Sequence, residues 1–385
     1  MKASKLLGVS LIAMSVSLAS VSYAGDGAQI NLLGDKKDIS KRIDDSSVSS
    51  SNVEVIAEKT IENTSTNELL EKVKDFIGIG ESSGDLVEKS QVEILEESAS
   101  VDNVQALNEL GYRYLYGVEV EKDYEKSFFY YEKAAELGDD VALNNLGSLY
   151  YSGIGTERNS DKAIQYYVAS ANKNNVDAQA NLGFVYIRGG DVPKDITSSI
   201  SYFKKAAAQD NILANFMMGY FYYKGFQVNL DYNKAFNYLK KSAKLGFDEA
   251  ELVLSDLYIK GFGVAQNYNI ASKLLYKSAN QGNVEAMYKF AVIVGNGKFV
   301  KRNDVLAHTF FNLATVRGRQ NAYEDREKLA NMMKLEDLLK AQNEASNFKE
   351  KPTDVTKLAR ANYGPSIKIY IDDYIKEIIA AKITE

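Results

Sequence analysis

The chain holds one histidine, His308, and no cysteine. A lone imidazole cannot make a zinc site without several carboxylates fixed around it. Without cysteine there is no thiolate nucleophile, no disulfide and no thiolate-bound metal. His308 also lacks a serine or cysteine partner by motif, so it reads as a structural histidine. Carboxylates are the remaining route to acid–base chemistry. Asp123, Asp195 and Asp231 recur in register, but Asn159, Asn267 and Asn303 fill the same slot between them. Asparagine cannot serve as a general acid or base. The slot therefore reads as a helix N-cap, where either side chain accepts a backbone N–H. Asp139-Asp140 and Asp248-Glu249 read as solvated turns. Gly153-Ile154-Gly155 and Gly261-Phe262-Gly263 lack the lysine and the preceding strand of a phosphate loop. No catalytic, cofactor-binding or metal-ligating residue is assigned.

The elements that hold these slots repeat. Alanine stands at Ala106, Ala142, Ala178, Ala214, Ala250, Ala286 and Ala322, in steps of 36 residues. Five residues on come Gly111, Gly147, Gly183, Gly219, Ser255 and Ala291. Eight on come Tyr114, Tyr150, Tyr186, Tyr222, Tyr258 and Val294. Eleven on come Gly117, Gly153, Gly189, Gly225, Gly261 and Gly297. A fixed period over six units marks a repeat architecture. The alanine, the small residue and the tyrosine share one face of a first helix, helix A. The small residue allows a second helix, helix B, to approach closely, and the last glycine suits a left-handed C-cap. Helix B opens at the Asp/Asn slot, carries Tyr130, Tyr166, Tyr202 and Tyr238, and ends near Gly138, Gly246, Gly282 and Gly318. Asn174 and Asp210 occupy that end in repeats two and three, and they also tolerate the left-handed conformation.

The remaining composition is that of a soluble protein, with 45% hydrophobic and 25% charged residues and only 3 prolines. The net charge of -6 leaves no basic excess for nucleic acid. Lys2 and Lys5 precede an apolar run from Leu6 to Ala19, and Ser22-Tyr23-Ala24 supplies the small residues of a cleavage site before Gly25. Residues 1–24 read as a secretory signal peptide, too short and serine-interrupted for a spanning helix. No integral span is expected after its removal. Residues 25–100 are acidic, serine-rich and almost free of aromatics, which predicts a mostly disordered segment. Helical stretches are expected within it at 67–77 and 85–97. Residues 101–321 hold the six repeats, 322–363 a degenerate repeat or helical cap, and 364–385 an amphipathic helix.

Ala142 to Asn174, "ALNNLGSLYYSGIGTERNSDKAIQYYVASANKN", resembles the Sel1-like repeat family, a relative of the tetratricopeptide repeats. Repeat six departs most, with Ala291 and Val294 in place of glycine and tyrosine. The resemblance implies an all-α fold: a right-handed α-solenoid of antiparallel helix pairs. It also implies an adaptor rather than an enzyme, exported bacterial members often meeting host cells or envelope partners. In related tetratricopeptide repeats, residues two, six and nine after the alanine face a concave groove. Carried over, they make an aromatic patch of Tyr112, Tyr151, Phe184, Phe216, Tyr220, Tyr223 and Tyr288, suited to a peptide or helix of a partner protein. No lysine or arginine cluster is expected along it. In the last helix Ile367, Tyr370, Ile371, Tyr374 and Ile378 share a face, either docking on the solenoid or pairing with another helix, a dimer included.

The sequence thus points to an exported interaction scaffold in the periplasm, on the outer membrane or cell surface, or in the medium, with host contact or virulence as a role by resemblance. A cell-wall enzyme or its dedicated activator, or a purely structural envelope protein, are the alternatives.

Overall fold

The computed structural model describes residues 90–384, with side chains through residue 380. The signal peptide, most of the acidic segment and the helix expected at 67–77 lie outside the described residues. Among those described there are seventeen α-helices and no strand. Helix α1 spans Gln91–Ala99, within the segment read as mostly disordered and overlapping the helix expected at 85–97. It packs on α2, where the Tyr114 hydroxyl donates to Glu96 at 3.0 Å. The repeats follow as A/B pairs: α2 Val104–Tyr116 and α3 Tyr124–Glu136; α4 Asp140–Ser152 and α5 Ser160–Asn172; α6 Val176–Arg188 and α7 Ile196–Ala208. Then come α8 Ile212–Lys224 and α9 Tyr232–Lys244; α10 Asp248–Lys260 and α11 Tyr268–Asn280; α12 Val284–Asn296 and α13 Asp304–Val316. Each helix packs against its neighbours in sequence, giving an α-solenoid.

Local chemistry sets these ends. Asp123, Asn159, Asp195, Asp231, Asn267 and Asn303 each cap a B helix, their side-chain oxygens accepting an amide from its first turn. Each such cap stabilises its helix by about 1 kcal/mol. The A helices are capped in the same way by Asn103, Asp139, Asn175, Asn211 and Asn283, a second series not anticipated from the sequence. At the B-helix ends Asn174 and Asp210 adopt φ of 68° and 60°, as glycine does in the other repeats.

The close approach of A and B is visible at Gly183. A Cβ there would stand 2.7 Å from the ring of Phe203, which is fully buried against the helix backbone. The tyrosine of each A helix is absorbed by the fold as well. Tyr114, Tyr150, Tyr186 and Tyr222 lie nearly parallel to Tyr130, Tyr166, Tyr202 and Tyr238, with ring centroids 5.5–5.9 Å apart. Lys126, Lys162 and Lys234 sit over three of these rings. The many tyrosines are thus a ladder that joins A to B in successive repeats.

Helices α14 (Gln320–Ala330) and α15 (Leu335–Ser346) both pack on α13 and close the array. Two further helices follow: α16 (Asp354–Tyr363) and α17 (Ile369–Thr384). They do not extend the solenoid. The chain turns back, and Lys351 donates its N–H to the Asn280 carbonyl at 2.8 Å. From there it runs across the face formed by the A helices.

The A-helix groove and its C-terminal occupant

Repeat five breaks the capping series where the tail begins to bind. Phe247 stands in the slot that holds Asn or Asp in the other five A helices, and it makes no side-chain cap. It is buried edge-on against Phe216, centroids 5.1 Å apart. The missing cap comes from the tail: the Asp248 N–H donates to Thr356 Oγ1 at 3.2 Å. Thr353 Oγ1 donates to the Gly246 carbonyl at 2.8 Å, and Thr356 Oγ1 donates to Gln281 Oε1 at 2.7 Å. The start of α16 is thereby fastened to the N-terminus of α10 and the C-terminal end of α11.

Two buried carboxylates come next. Asp248 is 1% exposed and pairs with Arg360 at 2.7 Å. Glu249 is 2% exposed and accepts from the Ser366 hydroxyl, the Ile367 N–H at 2.9 Å and the Lys368 N–H at 3.3 Å. The first amides of a helix have no partner within it, and its N-terminus favours negative charge. Glu249 therefore fastens the turn that leads into α17 and stands beside the helix N-terminus. Burial raises the Glu249 carboxyl to about 7; the Ser366 hydrogen bond opposes this, and neighbouring Asp248 adds to it. Burial likewise raises Glu251 to about 7, against Lys277 and the Gln281 hydrogen bond. Asp177 in α6, with Oδ1 unpartnered, is raised to about 7 by burial alone.

Aromatic and cationic contacts complete the seat. The Tyr363 ring stacks on Phe184 with centroids 3.8 Å apart, and its hydroxyl donates to Asn181 Oδ1 at 3.3 Å. Arg188 Nη2 donates to the Tyr370 hydroxyl at 2.9 Å, which itself donates to the Tyr363 carbonyl. Tyr220 donates to Asp372 at 2.7 Å, and Lys224 lies 3.1 Å from the same carboxylate. Burial and Asp372 push the Tyr220 hydroxyl far up, so it stays protonated and donating. Lys194 pairs with Glu377 at 2.8 Å and covers the Tyr374 ring, which meets Phe226 edge-on. Ile367 and Ile371 are buried in the same core as repeats one to five.

The Sel1 repeat model matches residues 104–139, 140–175, 176–211, 212–247, 248–283 and 284–315. The chain belongs to the Sel1 repeat family. It is similar to a solved Sel1 repeat protein from Oxalobacter formigenes, with 29% identity and a TM-score of 0.50 over 58% of this chain and 91% of that one. It is also similar to a protective antigen of uropathogenic Escherichia coli with an SLR fold, with 23% identity and a TM-score of 0.49. That match covers 71% of this chain and 66% of the antigen. A third similarity is to a putative Sel1 repeat protein of Klebsiella pneumoniae: 22% identity and a TM-score of 0.34 over 53% of this chain and 99% of that one. No curated protein matches the sequence. Sel1 repeat proteins are generally protein–protein interaction scaffolds and typically non-enzymatic.

Within this Sel1 array the aromatic patch divides into three. Phe184 and Tyr220 hold the tail directly. Phe216 is fully buried against Phe247 and Tyr151 is buried beside Arg158, while Tyr223 is half-buried and accepts from Lys260. At the ends, Tyr112 packs on Tyr116, and Tyr288 donates to Asp325 of α14 under the Arg319 guanidinium. Of the face read for the last helix, Ile367 lies in the turn before α17 and is buried, Ile371 is buried, and Tyr370, Tyr374 and Ile378 are half-buried. These residues dock on the chain's own solenoid, with no second chain required.

Two expectations are corrected. Asp248-Glu249 is no solvated turn but a buried pair opening α10, because the tail covers it. The groove is also not free of cations. Arg188 and Lys224 stand ten residues after the repeat alanine, one beyond the last position carried over, and Lys194 joins them from the following loop. His308 is buried in α13, where burial, aided by Arg326, pushes its imidazole below the usual range. Among the described residues no group of side chains is arranged to hold a metal ion, and no helix is long and apolar enough to cross a membrane.

Proposed function

We propose that this Sel1 repeat chain is an exported scaffold that holds a helical segment of a partner protein in its A-helix groove. The observation that supports this most is the seat itself. Phe184, Tyr220, Arg188 and Lys224 come from two successive repeats, and together they bind a helix by stacking, hydrogen bonds and ion pairs. Aromatic residues and arginine are the side chains that dominate binding energy at protein interfaces. Export rests on the signal-peptide pattern of residues 1–24 and host contact on family resemblance.

A photo-crosslinking amino acid at Tyr223, beside the seat, tests the reading in cells, with exposed Lys240 on α9 as the control position. The expected outcome is a discrete adduct from position 223 alone, in an extracytoplasmic fraction. Identical adducts from both positions would sink the groove reading. N-terminal sequencing of the fractionated protein is expected to start at Gly25, and an intact Met1 would remove export.

A further inference from the structure

The tail is a ligand as well as a part of the fold, and its chemistry describes what the groove accepts. Ile371, Tyr374 and Ile378 form a stripe at i, i+3 and i+7 of α17, the spacing by which a helix lays one face into a groove, and Ile367 is buried in the turn just before it. Tyr370, Asp372 and Glu377 flank the stripe and meet Arg188, Lys224 and Lys194 respectively. Three cations from α6, α8 and an inter-helix loop therefore grip both flanks of a single helix, Arg188 and Lys194 on one and Lys224 on the other. The fit is incomplete. Asn362 is fully buried with neither side-chain amide atom partnered, and Asp177 Oδ1 is buried without a partner. Buried polar groups left unpaired weigh against the arrangement that buries them. The outward side of α17 faces solvent, with Lys376 and Ile379 exposed.

We propose that α16 and α17 are a resident pseudo-ligand, and that the exchangeable occupant is a helix of another protein carrying the same acidic-aromatic face. This rests on the groove reading above. A partner helix with an apolar stripe, a flanking tyrosine and carboxylates facing Lys224 and Lys194 enters as the tail leaves. The tail blocks helices of lesser fit, because any occupant must first displace it.

The probe is a fluorescent synthetic peptide of residues 364–380, titrated into full-length protein by anisotropy. Wild type is compared with Ile371→Asp, which expels the buried stripe, and with Asp372→Lys, which sets the tail against Lys224. Both variants are expected to bind the peptide at least tenfold more tightly than wild type. Adding Lys224→Glu to Asp372→Lys rebuilds the tail contact with reversed sign and is expected to return affinity for a peptide that itself carries Asp372→Lys to the level at which wild type binds the native peptide. Should Ile371→Asp fail to fold, the charge-reversal pair carries the comparison. Equal affinity across folded variants overturns the proposal, and so does wild-type dimerisation by light scattering with the tail exchanged between copies. In wild type alone, amides of α16 and α17 are expected to exchange with solvent at least tenfold faster than those of α8, and equal protection overturns the proposal too. A specific crosslink from position 223 without peptide exclusion would leave the groove reading standing and remove the pseudo-ligand.

Discussion

A carboxylate buried beside a helix N-terminus is held by two opposing forces. Glu249 accepts two backbone N–H groups and a hydroxyl, which favour its charged form, yet burial outweighs them and lifts it to about 7. Asp177 and Glu251 are raised to the same region by burial. An acid whose folded value lies above its unfolded value binds protons more tightly when folded. Its contribution is therefore fully present below the unfolded value, near 4, and is lost as pH rises through about 7. Thermal stability is expected to fall between about pH 4.5 and 7 and to level off above that, with Glu249→Gln flattening the profile by removing one of the three groups. A profile rising over that range would contradict the burial of these acids. None of this was visible in the sequence, where Asp248-Glu249 looked like an ordinary turn. Solvation depends on what covers a residue, and here the cover comes from more than a hundred residues away: Ile367 is 118 residues from Glu249.

At the level of helices, reading the chain went further. The period, the B-helix caps and the left-handed ends at Asn174 and Asp210 follow from side chains acting on backbone within a few residues, and such local rules leave their mark on residue type. Packing between paired helices was legible for the same reason, through the small residue five after each alanine. Gly183→Val is expected to cost about 1–3 kcal/mol in a urea titration, because its Cβ meets the Phe203 ring at 2.7 Å. An unchanged midpoint would mean that α6 and α7 separate more easily than their packing indicates. The tail's site was written more faintly. Phe247 in a capping slot is a departure from the repeat and leaves a cap for the tail to supply, whereas the cations Arg188 and Lys224 share their slot with Lys260 of the next unit. A deviation in one unit signals function only once its neighbour in space is known.

Taken whole, a repeat array contacts only its nearest units and unfolds piecewise. This molecule adds a bond between distant parts: Tyr363 reaches Asn181 across 182 residues. Tyr363→Ala removes a buried ring and is expected to cost about 3 kcal/mol. The loss is expected to register as faster amide exchange in α6 as well as in α16. Protection lost in α16 alone would show that the tail lies on the array without joining it.

The tail is anchored at Gln281 and reaches back to Phe184, a span measured in whole repeats. Repeat proteins commonly evolve by gaining or losing units, since each new unit meets the same neighbours. Between repeats three and five that freedom is gone here. One duplication would carry Phe184 out of reach of Tyr363, and one deletion would bring the wrong residues beneath it. The C-terminal segment acts as a gauge of length, and copy number in the middle of this solenoid becomes a selected trait, while units before repeat three stay free to vary.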